Sequence, residues 1–157
     1  EQRLFRFCWY SDHLGLTAPA GVPLGLPMPL PCDRHVLAAV RRHLDDMSAL
    51  VDHVAVENAA RLFALGDPLD EPAFIGEILA GGEGHLVLDL HAVHATAVNL
   101  GCDPLAYVER APLDRVIALH VSGSGTSPGG WLPSGRTLLL DDHDRPVPEA
   151  VWSLLAY

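Results

Sequence analysis

"HLVLDLHAVHATAVNLG" (residues 85–101) opens as an apolar strand from His85 to Leu90 and sets Asp89, His91 and His94 where that strand ends. A short apolar run bounded by polar residues reads as a strand buried on both faces of a parallel sheet. A charge at its end is tolerated only where a cation or hydrogen bonds compensate it. The same plan recurs along the chain. "RLFRFCWYSDHL" (3–14) runs into Asp12 and His13, and "VDHVAVENAA" (51–60) sets Val54 and Val56 before Glu57 and Asn58. "RVIALHVSGSG" (115–125) delivers His120, and "RTLLLDDHD" (136–144) delivers Asp141, His143 and Asp144.

Helical patterns lie between these runs. Asp33 is placed to cap a helix whose apolar positions Val36, Val40, Leu44, Met47 and Leu50 recur at three- and four-residue steps. Asp70, with Pro72 just inside, starts a second helix carrying Phe74, Ile75, Ile78 and Leu79, which Gly81 and Gly82 can end. Asp103–Pro104 starts a third, and "PVPEAVWSLLAY" (146–157) a last one. "PAGVPLGLPMPLP" (19–31) is too rich in Pro and Gly for either regular state and reads as a loop.

Strands alternating with helices imply parallel strands. The polar ends follow one another at intervals of 44, 32, 31 and 23 residues, near the roughly 30 residues of a strand–helix unit. This predicts an α/β fold, a partial (β/α)8 TIM barrel with about strands four to eight present. Its polar ends would meet at the C-terminal mouth, where such barrels build their sites. A complete barrel takes about 250 residues, and the 157 here supply little more than half. Residues 1–157 are therefore expected to be a single domain, the C-terminal part of a barrel, with a smaller open α/β sheet as the alternative. The absence of a Met at position 1 adds the expectation that the chain starts inside a larger protein.

Composition narrows the chemistry. Net charge is −10, with every one of the ten basic residues an Arg, which argues against a phosphate-tracking groove and so against nucleic acid. Each apolar stretch is interrupted well short of the roughly 18 residues that span a bilayer, so no membrane role is expected. Three Cys without a CxxC pair give neither a zinc ribbon nor a disulfide framework and fit a reducing cytoplasm. The chain carries nine His, and imidazole is the commonest metal ligand. Carboxylates mixed with imidazoles suit iron, manganese or zinc better than calcium, magnesium or a structural zinc. Strand alternation would set Asp89 beside His91, and Asp141 beside His143 with Asp142 and Asp144 opposite.

Four blocks, "SDHL" (11–14), "VEN" (56–58), "VLDLHAVHATAVNLGCDPLAYVERAPLDRVIALHVSG" (87–123) and "LLLDDHDRPVPEAVW" (139–152), resemble the multinuclear non-heme iron-dependent oxidases, which are barrels related in shape to xylose isomerase. The resemblance covers nearly the whole chain. It implies a site of two or three iron ions that uses oxygen to remodel cysteine or other residues of a ribosomally made precursor peptide, aided by a separate peptide-recruiting partner protein. By matching position, His13 answers to the family's strand-four histidine, Glu57 to its bridging glutamate, Asp89 to its strand-six aspartate and His120 to its strand-seven histidine. Asp141 and His143 sit in a matching motif, and His91 follows Asp89, so these three complete the expected metal set. Asp12, Asn58, His94 and Asp144 are candidates for orienting ligands or meeting substrate; no catalytic group is singled out.

Three departures stand beside the resemblance. His91 and Ala92 replace two adjacent Asn that the family commonly carries, Ser124 stands where a histidine often follows the strand-seven glycine, and the strand-three histidine of an "HG" motif lies outside the chain. Without that ligand, this polypeptide alone is expected not to assemble a full site and to be inactive by itself. Two other functions compete: a divalent-metal isomerase or hydrolase on the same barrel, for which Arg136 and Arg145 are the obvious anion-binding candidates, and a truncated copy without catalysis. His35, His43, His53 and His85 lack the strand-end position and read as structural. Asp33, Asp70 and Asp103 read as caps, and Cys8 and Cys102 as packed small residues. "SGSGTSPGGWLPSG" (122–135) lacks the order of a phosphate cradle and reads as a loop over the mouth.

Overall fold

The computed structural model describes residues 2–157 and is α/β. A short helix α1 (Gln2–Phe5) precedes β1 (Trp9–His13). The chain then passes through α2 (Arg34–Ser48), β2 (His53–Glu57), α3 (Asp70–Leu79), β3 (His85–Asp89), α4 (Leu90–Leu100), α5 (Pro104–Arg110), β4 (Val116–His120) and α6 (Glu149–Leu155). The four strands are parallel and lie in chain order, β1-β2-β3-β4. Crossovers that return the chain to a parallel neighbour are right-handed in nearly all proteins, so a sequential order gathers the crossover helices on one face.

The core has the composition this requires. Val56, Leu86 and Leu88 pack with Phe74, Ile75 and Ile78 of α3, Leu90 and Val93 of α4, Tyr107 and Val108 of α5, and Val151 and Leu154 of α6. Each fully buried Leu or Ile contributes about 1.5–3 kcal/mol. By alternation, Ala55, Glu57, Val87 and Asp89 turn to the opposite face, and they too are buried. On β1, Asp12 faces the helix side, 3.8 Å from His43 of α2, while His13, paired in register with Glu57, takes the Glu57 face.

Three expectations about the strands are corrected. The first strand is five residues long, because Gln2–Phe5 is helical and Arg6, at φ 50°, turns the chain in the left-handed region. The third strand stops at Asp89, which belongs to the strand and also caps the next helix: its Oδ1 accepts from the Ala92 N–H at 2.9 Å, and Gly101 closes α4 at φ 77°. His91 and His94 therefore lie on a helix, and strand alternation does not apply to them. The fifth run (136–144) forms no strand; only isolated bridges tie Thr126 to Leu139 and Gly123 to Arg145. The Asn99 side chain occupies the Leu139 backbone groups, and His143 sits at φ 55°, off the extended region.

Asp33 caps α2 by accepting from His35 and Val36 N–H groups at 2.8 and 2.9 Å, and Asp103 caps α5 through Leu105. Asp70 is instead the first residue of α3, where its charge favours the helix N-terminus. Cys102 is half-buried, whereas Cys8 is exposed rather than packed. Among the described residues no helix is long and apolar enough to cross a membrane.

Candidate metal centre

Parallel strands in register bring their C-terminal residues to one edge. Asp89 pairs with His120 across β3 and β4, and Glu57 pairs with Val87, one alternation step short of Asp89. The longer Glu57 side chain spans that step. Ligand atoms of Glu57, Asp89 and His120 all lie within 4.8 Å of one another. Glu57 Oε1 is 2.7 Å from His120 Nδ1. A second group, Asp89, Asp141 and His143, meets the same limit, with His143 Nε2 at 2.9 Å from Asp141 Oδ1. Asp89 is common to both.

Burial pushes the Asp89 carboxyl above its ordinary range, and the charges of Asp141 and Glu57 push it the same way. The Ala92 N–H and His91 act in the opposite sense. Carboxylates crowded at one edge, two of them buried, are stable when a cation sits among them. The donor set of carboxylates and imidazoles fits iron, manganese or zinc. His91 supports the fit. Its ring is 1% exposed, its Nε2 lies 3.2 Å from the Leu140 carbonyl, and its buried Nδ1 has no hydrogen-bond partner. A carbonyl only accepts, so in the neutral ring Nε2 carries the proton and Nδ1 keeps a lone pair. Its ring centre lies 6.4 Å from that of His143.

Two amide clamps hold this edge. Asn58 receives the Asp89 N–H at 2.9 Å and donates to the Asp89 carbonyl at 3.0 Å, fixing the backbone of the shared residue. Asn99, near the end of α4, does the same for Leu139 at 2.8 and 3.0 Å, two residues before Asp141. Asn99 also donates to the Arg61 carbonyl, and the Arg61 N–H bonds Thr96 Oγ1. The Arg61 guanidinium in turn pairs with buried Glu71, whose other oxygen accepts from Tyr107 Oη at 2.8 Å. Burial pushes the Glu71 carboxyl up, while Arg61 and Tyr107 favour its charge.

The remaining expected residues lie apart. His13 is exposed at the end of β1 and is in neither group; it borders a cavity of about 300 Å³ between β1 and α2 that Asp12 and His43 also line. His94 turns into the helix layer, beside Leu105, Ala150 and Tyr157. Asp142 bonds the Gly125 N–H, and Asp144 lies 3.4 Å from Arg145. Arg61, Glu71 and Asn99 were not anticipated from the sequence. Asn99 had a signal: with Thr96 it is a polar position on a largely apolar helix, and such residues are buried only when bonded.

The fold and site define an α/β protein with two adjoining carboxylate–histidine groups, each able to hold a metal ion, at the C-terminal edge of a parallel sheet. The sequence model of the RiPP precursor modification enzymes MbnB/TglH/ChrH matches residues 2–157, and the chain belongs to that family. It is 31% identical over 148 residues to a UPF0276 protein of Caulobacter vibrioides, covering 93% of this chain and 50% of the relative. A UPF0276 protein of Bordetella pertussis is 34% identical over 149 residues, 94% of this chain and 50% of the relative. One of Pseudomonas aeruginosa is 33% identical with the same coverage. The chain thus spans about half the length of the curated relatives it matches.

Proposed function

We propose that this chain is the C-terminal half of a (β/α)8 barrel of the xylose-isomerase type, and that the whole protein is an iron- and oxygen-dependent oxidase. Its substrate would be cysteine or another residue of a ribosomally made precursor peptide, presented in the cytoplasm by a separate peptide-recruiting protein. The observation that carries this reading is the sharing of Asp89 between two cation groups. One carboxylate reaching two sites is the arrangement a pair of metal ions needs. The barrel reading is supported by the sequential strand order, with helices packed on one face and buried Ala55, Val87 and Glu57 on the other. A membership in the peptide-modifying family supports the substrate class.

Glu57, Asp89 and His120 would hold one ion, and Asp89, Asp141 and His143 the other, with His91 Nδ1 available beside the second; His13 would join from β1 once the rest of the barrel closes the mouth. Iron bound there would supply electrons and open coordination positions for oxygen chemistry at a substrate thiol. The chain's own residues do the rest. Asn58 holds the Asp89 backbone so that its carboxylate stays between the two groups. Asn99 and His91 hold Leu139 and Leu140, which sets Asp141 and His143 against it. His94, Asp12 and Asp144 remain candidates for contacts outside the ligand set. The isomerase or hydrolase reading gains nothing, since Arg136 is bonded to the Asn99 carbonyl and Arg145 lies against Asp144.

The test is oxygen uptake by the full-length, iron-loaded protein given its precursor peptide and recruiting partner. Uptake coupled to a mass change in the peptide, lost in His120→Ala, is expected. Peptide turnover that proceeds unchanged without oxygen would refute the oxidase.

A further inference from the structure

At the opposite end of the same two central strands, His53 begins β2 and His85 begins β3. We propose that these two imidazoles form a separate site for a zinc-like ion that ties the start of β2 to the start of β3. His53 Nδ1 and His85 Nε2 are 3.3 Å apart. That is a weak hydrogen bond between two ring nitrogens, longer than the N–H···O mode of about 2.9–3.0 Å. It matches the bite of a tetrahedral ion, because two nitrogens about 2.0–2.1 Å from zinc at a tetrahedral angle stand about 3.3–3.4 Å apart. The ring centres are 5.2 Å apart at 70°. Two rings whose lone pairs aim at one such ion would have centres about 5 Å apart.

The site is distinct from the carboxylate edge. Glu57 and Asp89 lie four residues further along each strand, about 13 Å away at ~3.3 Å per residue, with buried Ala55 and Val87 between. An imidazole binds a metal ion through its neutral ring. Burial, then the charges of His53 and Arg115, hold the His85 ring below its ordinary range, and Glu83 opposes them. The Arg115 guanidinium is drawn off by the Gly82 carbonyl at 3.2 Å and by Asp114 at 3.9 Å. His53 is exposed and His85 half-buried, so water can complete the coordination.

Zinc chloride titrated into the full chain, followed through the imidazole nitrogen resonances, tests this directly. The expected result is a joint shift of His53 Nδ1 and His85 Nε2, saturating at one equivalent per site, and at least a tenfold weaker zinc affinity for that site in His85→Gln. A second titration in Asp89→Asn separates it from the other end, and the His53 and His85 shifts should persist there. Resonances of both rings that stay in place while zinc binds elsewhere would overturn the proposal, as would equal affinity in His85→Gln.

Discussion

The two carboxylate–histidine groups meet at Asp89 and are built in opposite ways. In the first, Glu57, Asp89 and His120 end three adjacent strands, and Glu57 and Asp89 are buried. In the second, Asp141 and His143 come from an irregular segment that is exposed, with His143 in the left-handed region. Sheet register places the first group; side-chain clamps from a neighbouring helix place the second. The ladder runs the length of each strand, whereas the second segment is held by Asn99, His91 and a few bonds to the loop at 123–127. The first half should thus resist perturbation that releases the second.

The contrast yields a series of substitutions. Arg61→Ala should have the largest effect on stability, since it leaves Glu71 buried without its partner; breaking such pairs costs about 3–5 kcal/mol. A denaturant midpoint near wild type would show that this buried pair does not hold the fold. Asn99→Ala strands the Leu139 N–H and carbonyl, at a cost of about 1–3 kcal/mol. It should lower occupancy of the Asp141–His143 group while sparing Glu57–Asp89–His120, and equal loss from both by metal titration would erase the distinction. His143→Ala removes an exposed side chain and should shift stability within about 0.5 kcal/mol, measured by thermal unfolding, yet still weaken the second group.

The same contrast decides what could be read from the sequence. β2, β3 and β4 were legible because an apolar run with a polar end has one reading in a parallel sheet, and α2 because Asp33 announces it. Helix α4 was not. "LHAVHATAVNL" is apolar around much of its circumference, so periodicity gives no face, and the capping role of Asp89 was hidden by its place at a strand end. The segment 136–144 failed for the converse reason: "TLLL" has strand composition, but the Leu139 backbone bonds Asn99, a partner 40 residues away, and Leu138 and Leu140 bond the loop at Gly125 and Ser127. Asp141 and His143 still come together, through a turn instead of a pleat.

The central claim is that Asp89 serves two ions. It is tested most directly by counting iron in the anaerobically loaded full-length protein by mass spectrometry, for Asp89→Asn beside His120→Ala and His143→Ala. The account predicts that each histidine variant loses iron from one group and that Asp89→Asn loses it from both. An Asp89→Asn protein that keeps as much iron as either histidine variant would contradict it.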